Sequence, residues 1–309
     1  MNTSTVQSPK TAIIIPAYNE APHLREMIER VIALRGGQPW EIIVVDDGST
    51  DQTPELLRAV ADRVRVIRHS GNFGYGASLK TGIHATRARD VIFLDADGQH
   101  DPAYLAPMTE LLERYEFVIG MRRAQEGVPL IRRPGKLVLK LVVSFLVGRW
   151  IEDVNFGFRG GRRSLYLRML DLLPDGFSFS TTSLVYVLKS RFTAHLWELP
   201  SQARKGVSMV RMFRDGFKTL LLVVRLIMLF DPLRAFGVPA LGLIGIGLLY
   251  QVYILVYKGL HVEGGAILSI LAGIVLVHFA LLADQLAAMR KEMSAHASLI
   301  EEQLSRPDQ

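Results

Sequence analysis

The chain contains no cysteine. Disulfides, thiolate nucleophiles and zinc–thiolate sites are therefore excluded. Met1 to Lys10 is polar and has no apolar run, so it reads as an unstructured tail without a secretory signal peptide. Internal repeats and low-complexity stretches are also missing. Acidic residues are outnumbered, 30 against 36 Lys and Arg, giving a formal net charge of +6 and a pI near 9.6. That balance favours anionic partners. Hydrophobic residues make up 49% of the 309, with a mean hydropathy of +0.22. The chain is too apolar for a wholly soluble protein and too polar for a polytopic transporter. One soluble domain plus a few membrane segments fits, so the anionic partners expected are lipid and phosphate, with no nucleic acid.

Residues 11–120 alternate short apolar runs with helical patterns. Thr11 to Ile15, Glu41 to Val45, Val64 to Ile67, Val91 to Leu94 and Phe117 to Gly120 read as strands. A helix capped by Ser49, Thr50 or Asp51 follows the second run, and Gly76 to Arg87 reads as another. Continuous apolar strands separated by helices predict an α/β fold with a mostly parallel sheet covered on both faces. Ligands bind such sheets beyond the carboxyl ends of the strands. Those ends carry Pro16-Ala17-Tyr18-Asn19-Glu20, Asp46-Asp47-Gly48 and Asp95-Ala96-Asp97, which the topology gathers on one rim.

The second half differs. Lys136 to Ile151 and residues 211–235 read as basic, amphipathic helices lying in a membrane interface. Residues 236–257 and 264–283 are each long and apolar enough to span a bilayer. The link between them is short, so they form a hairpin with both ends on one side. Arg225 and Arg234 before it and Arg290 and Lys291 after it, against a lone Lys258 in the turn, place residues 11–210 in the cytoplasm at the plasma membrane. His278 reads as an interhelical hydrogen-bonding residue. Residues 284–309 form a charged tail helix, where Leu286, Met293 and Ile300 offer a short seam for homo-oligomerisation.

Two carboxylates at i and i+2, Asp95 and Asp97, can share one hard divalent cation with phosphates, and Mg²⁺ or Mn²⁺ suits them. Asp46 and Asp47 either cap a helix or hydrogen-bond a base or ribose. The glycine-rich segment Arg68 to Lys80, with Gly74 and Gly76, opens a helix and so offers a phosphate cradle. It lacks the third glycine of a dinucleotide fingerprint and follows the third strand, which argues against an oxidoreductase.

These segments resemble family 2 glycosyltransferases of the GT-A fold, in the polyprenyl-phosphate (dolichol-phosphate) sugar synthase branch. The likeness rests on Ile15 to Glu20, Val45 to Asp51, Asn72 to Ala77, Asp95 to Gln99 and Asp153 to Arg159, and covers about residues 10–235. It implies a nucleoside pocket lined by Pro16, Ala17, Tyr18, Glu20 and Asp47, with Asn19, Asp46, Gly74, Gly76, Lys80 and Ala96 in the same donor-binding segments. Asp95, Asp97 and Gln99 would surround the metal and diphosphate. Arg122 would approach the phosphates, and Arg204, Lys205 and Ser208 would clamp phosphate. Arg132 or Arg133 would meet the acceptor phosphate. Many relatives carry an acid where this chain has Thr181 and Thr182, so Asp153 is the remaining acid near the site, with a structural or acceptor-positioning role favoured over that of a catalytic base. The resemblance implies inverting transfer of one hexose from a UDP- or GDP-linked sugar to a polyprenyl phosphate. A polyprenyl phosphate is already an anion and needs no general base. Competing readings are transfer to another lipid or glycan, or a non-catalytic membrane scaffold. A processive synthase is disfavoured by the missing Gln-x-x-Arg-Trp motif.

Overall fold

In the computed structural model, residues 9–98, 100–122, 133–190, 192–200 and 212–304 are described. The chain divides into two compact units, residues 1–212 with 297–309 and residues 213–296.

The first unit is built on β-branched runs. Strand β1 (Thr11–Ala17) is buried along its whole length. After it come α1 (Ala21–Arg35), β2 (Trp40–Asp46), α2 (Thr53–Arg58), β3 (Arg65–Arg68), α3 (Tyr75–Ala85) and β4 (Asp90–Phe93). Then follow α4 (Leu105–Arg114), β5 (Phe117–Arg122), α5 (Arg133–Val147), β6 (Arg159–Arg162), α6 (Arg163–Leu167), α7 (Ser178–Lys189) and β7 (Ala194–Leu199). The seven strands form one sheet in the order β3-β2-β1-β4-β6-β5-β7. Its β1–β2, β1–β4, β2–β3 and β5–β7 pairs are parallel, whereas β6 runs antiparallel to both β4 and β5. Ile13, Ile15, Ile42, Val44 and Ile92 pack on Leu24, Ile28, Leu105 and Met108 from the helices, which is why the parallel strands carry no polar face.

The expected five strands are present, with ends moved by one or two residues, as is usual at element boundaries. The strands that pattern reading misses are β7, at the edge of the sheet, and β6, whose sequence Arg-Gly-Gly-Arg has no apolar signature. A Cβ on Gly160 would lie 3.0 Å from Ile92 and Leu112, and one on Gly161 would lie 2.8 Å from Phe117. Small residues there let the flanking side chains close over the strand. Arg162 ends it on Asp90, 2.8 Å away, in the buried start of β4.

The remaining helices are α8 (Met212–Phe230), α9 (Pro232–Lys258) and α10 (Gly264–Leu304), and the second unit takes in α8 from Phe213, all of α9 and α10 as far as His296. Two segments, Pro232–Lys258 and Gly264–Met293, are long and apolar enough to cross a membrane. They close on small residues: a Cβ on Gly247 would lie 2.7 Å from Ile270, and one on Gly273 would lie 2.5 Å from Ile244. Gln251 staples the turn, donating to the His261 carbonyl at 2.8 Å and accepting from Glu263 N–H at 3.0 Å. The expectation for His278 is corrected. Its Nδ1 meets the Ile274 carbonyl of its own helix at 2.8 Å, one turn back, so the bond is within α10. Beyond the span, α10 continues without a break to Leu304.

Candidate active site

Because β5 is antiparallel to β6 and β6 to β4, the carboxyl ends of β1, β2, β3, β4, β5 and β7 share one edge of the sheet. The loops expected on one rim are therefore together, and Arg122, the last residue of β5, ends there too. The segment after β7 leaves from the same edge, but Arg204, Lys205 and Ser208 lie outside the described residues, as do Gln99 and Arg132. Arg133 is the first residue of α5.

The rim begins with two stitched loops. Asn19 adopts a left-handed backbone, with φ 54°, a conformation that asparagine tolerates better than most residues. Its N–H donates to Ser49 Oγ at 3.0 Å, and its side-chain oxygen accepts from Thr50 N–H at 2.9 Å and Asp51 N–H at 3.3 Å. Glu20 N–H donates to Thr53 Oγ1 at 3.1 Å. Asn19 therefore sets the shape of the loop that holds Pro16, Ala17 and Tyr18, and Tyr18 is exposed. The N-cap position of α2 falls on Gln52, which makes no side-chain cap, and of the three expected caps Asp51 accepts from Thr53 N–H through Oδ1 at 2.9 Å.

Asp46 and Asp47 are both buried. Asp46 Oδ1 accepts from Ser49 N–H at 2.9 Å. Its Oδ2 lies 3.2 Å from Arg68 Nε but makes no hydrogen bond, because the guanidinium approaches from outside the bonding direction. Asp47 accepts from Phe73 N–H at 2.9 Å, Gly74 N–H at 2.8 Å and His69 Nδ1 at 2.7 Å. His69 in turn reaches Thr81 Oγ1 through Nε2 at 2.9 Å. Asp47 thus holds the 69–74 loop, and His69, which no sequence pattern singled out, fixes the carboxylate.

The phosphate cradle expected at Gly74 and Gly76 is corrected. A Cβ on Gly74 would lie 2.5 Å from the Asp175 carbonyl, and one on Gly76 would lie 2.2 Å from the Pro174 carbonyl. Gly74 also sits at φ 107°, which glycine adopts freely. Ala77 N–H donates to the Asp175 carbonyl at 3.0 Å. These glycines let the 174–176 turn pack against the start of α3, where it takes up the Ala77 amide. Lys80 Nζ is likewise paired with Asp175 Oδ1, 2.7 Å away.

The loop after β4 is built differently. No backbone donor to the Asp95 carboxylate is seen among the described residues. Tyr75 donates its hydroxyl to Oδ1 at 2.8 Å, and His100 Nε2 lies 3.5 Å from Oδ2. The side chain keeps 23% of its surface exposed. Burial pushes its carboxyl up, but His100, Tyr75 and the charge of Arg159 outweigh that and hold it below the usual range. Burial and the neighbouring Asp95 push the Tyr75 hydroxyl well up, so it stays a donor. Ala96 is buried and Asp97 is partly exposed. Gly157 closes the back of the loop, where a Cβ would lie 1.9 Å from Asp95 Oδ2.

Arg159 is a buried cation behind this acid. It donates to the carbonyls of Phe156 and Ser180 and, at 3.1 Å, to Ser183 Oγ. Burial lowers its pKa, while the charges on Asp95 and Asp153 oppose that. Asp153 Oδ1 accepts from Asn155 N–H at 3.2 Å. Thr181 donates to Asn155 Oδ1 at 2.6 Å, tying α7 to the loop that holds Asp153. Among the described residues no cluster of three or more His, Asp or Glu converges on one point. Two partly exposed oxygen ligands fit a hard cation that takes its remaining ligands from water and phosphate.

The sequence profile of Glycosyl transferase family 2 matches residues 12–172, more than half of the 309-residue chain. An undecaprenyl-phosphate 4-deoxy-4-formamido-L-arabinose transferase of Pseudomonas aeruginosa is 28% identical over 312 residues, covering 96% of this chain and 90% of that protein. A dodecaprenyl-phosphate galacturonate synthase of Rhizobium johnstonii is 27% identical over 261 residues, covering 81% and 77%. In fold, the chain is similar to glucosyl-3-phosphoglycerate synthase from Mycobacterium tuberculosis, crystallised with Mn²⁺ and uridine diphosphate. The TM-score is 0.54 at 22% identity, over 70% of this chain and 80% of that one. The same enzyme with Mg²⁺ and uridine diphosphate gives a TM-score of 0.53 at 22% identity, over 70% and 79%. The profile match, the mixed sheet with its acid-bearing parallel edge and these likenesses agree: the chain is a glycosyltransferase and belongs to family 2.

Proposed function

We propose that the chain transfers one hexose, with inversion, from a UDP- or GDP-linked sugar to a polyprenyl phosphate at the cytoplasmic face of the plasma membrane. The observation that carries this is the placing of Asp95: partly exposed at the carboxyl edge of the sheet and met by Tyr75 and His100, with Thr181 in the segment where the resemblance implies a general base. An acceptor that is already an anion needs no such base. The curated relatives described above are named for polyprenyl-phosphate substrates, which supports the same acceptor.

In this reading Asp95 and Asp97, with Gln99, hold Mg²⁺ or Mn²⁺ against the donor diphosphate. When bound, the cation offsets the charge that develops on the leaving diphosphate. Pro16, Ala17, Tyr18, Glu20 and Asp47 line the nucleoside pocket. Arg122, Arg132, Arg133, Arg204, Lys205 and Ser208 orient phosphate oxygens, so that attack on the anomeric carbon is in line. Asp153 shapes the acceptor side by holding its own loop.

Membrane attachment follows from the two span-length helices and from the basic residues at both ends of the hairpin. Within the first unit, α5 and the turn after it present Leu137, Val138, Leu141, Phe145 and Trp150 outward. Lys140 lies between Trp150, 4.4 Å from its ring, and Glu152 at 2.7 Å. Apolar and basic groups on one surface suit the headgroup layer.

The test is to incubate the purified chain with undecaprenyl phosphate, a panel of UDP- and GDP-sugars and Mg²⁺ or Mn²⁺, and to weigh the lipid product. The expected product is the polyprenyl phosphate plus one hexose. Sugar transferred only to a different acceptor, or to none, contradicts the proposal.

A further inference from the structure

The contacts of Asp47 constrain the donor base. A carboxylate offers two oxygens and about four acceptor positions. Oδ1 is filled twice, by His69 Nδ1 at 2.7 Å and Phe73 N–H at 2.9 Å. Oδ2 is filled once, by Gly74 N–H at 2.8 Å. One acceptor position remains, on Oδ2. The neighbouring acid supplies no second one, because Asp46 is wholly buried and turned toward Ser49 and Arg68.

His69 is the part of this arrangement that the backbone does not dictate. Its Nε2 reaches Thr81 Oγ1 at 2.9 Å, and its ring packs 5.2 Å from that of Phe73. Since an ionised Asp47 only accepts, the proton on the facing nitrogen is assigned to Nδ1. His69 therefore removes an acceptor position from Oδ1.

We infer that His69, by occupying Asp47 Oδ1, makes the nucleoside pocket selective for a base with a single ring imide N–H, uracil or thymine, over guanine. The inference rests on the proposed role of Asp47 in the nucleoside pocket and goes beyond it. Guanine presents N1–H and N2–H side by side, and a carboxylate meets both only with one open position on each oxygen. Here one of the two would be buried without a partner, which costs about tenfold in affinity or more. Uracil presents N3–H alone. Adenine and cytosine place a ring-nitrogen lone pair beside their amine, which the carboxylate repels.

The experiment is calorimetric titration of the detergent-purified full chain with UDP and with GDP, both in Mn²⁺. The native chain is expected to bind UDP at least about tenfold more tightly. His69→Ala opens Oδ1 and is expected to shrink that ratio severalfold, whereas His69→Asn, whose amide can stand in for Nδ1–H, keeps it. Thr81→Val, which removes the anchor of the ring, is expected to shrink the ratio in the same direction, and it serves if His69→Ala fails to fold. Equal affinities in the native chain, tighter GDP binding, or a ratio unmoved in both His69→Ala and Thr81→Val overturns the inference while leaving the nucleoside pocket standing. If neither nucleotide binds the native chain, the nucleoside role of Asp47 falls, and the inference with it.

Discussion

The rim carries two acidic loops that look alike in sequence, Asp46-Asp47 after β2 and Asp95-Ala96-Asp97 after β4. Their surroundings are opposite. Asp46 and Asp47 are buried, and their oxygens are filled largely by the N–H groups of Ser49, Phe73 and Gly74. Asp95 is met by a phenol and an imidazole and stays partly exposed. Backbone donors commit a carboxylate to holding a loop, since removing it strands buried amides. Side-chain donors tune a carboxylate and leave it room for a further ligand. The first loop is framework with one acceptor position left over; the second is the one proposed to take an external cation.

That contrast can be broken in several places. The largest effect is expected at Asp97→Ala, where losing a metal-holding oxygen costs on the order of 10²–10³ in turnover. Thermal unfolding should barely move. Next is Gly157→Ala, which touches no substrate. Its methyl would overlap Asp95 Oδ2, and displacing that carboxylate by about 1 Å should cost about a hundredfold in turnover. Unchanged kinetics would mean that Asp95 is not held where the account needs it.

Asp47→Ala should act on stability as well as on binding of the donor nucleoside. Two loop amides lose their acceptor, and about 3 kcal/mol of unfolding free energy should go, read by urea titration. Tyr75→Phe removes one hydrogen bond to a charged group and should cost about tenfold in turnover, with little change in stability. The smallest effect lies away from both loops. Arg89 and Lys10 hold the Glu113 carboxyl at about 2, below 4.5. A depressed carboxyl stabilises the fold above its unfolded pKa and loses that contribution as pH falls through the folded one. The stability difference between the native chain and Glu113→Gln, under about 1 kcal/mol for so exposed a group, should therefore fade between pH 4.5 and about 2.

Much of this was legible in the sequence. Strands β1, β2 and β4 carry apolar runs stopped by Pro16, Asp46 and Asp95, and parallel topology alone puts those stops on one edge. The span-length helices are visible as stretches without charge. Strand β6 was not legible, because two glycines and two arginines carry no period, and its place between β4 and β5 depends on packing from both sides. The glycine-rich segment misled for a related reason. Glycine signals close backbone approach, and here the approaching group is the 174–176 turn from a hundred residues along the chain. His69, Tyr75 and Arg159 lie in or beside the matching segments, but their partners come from distant loops. Only the folded chain pairs His69 with Asp47, or Tyr75 with Asp95.

The central claim is that the Asp95–Asp97 loop holds a divalent cation against the donor diphosphate during transfer to a polyprenyl phosphate. The most direct measurement is the rate of glycolipid formation in chelator and after Mn²⁺ is added back, for the native chain and for Asp97→Ala. The account predicts that the native chain is silent in chelator and recovers with Mn²⁺, while Asp97→Ala stays silent in both. Full activity in chelator, or a full rate from Asp97→Ala, would contradict it.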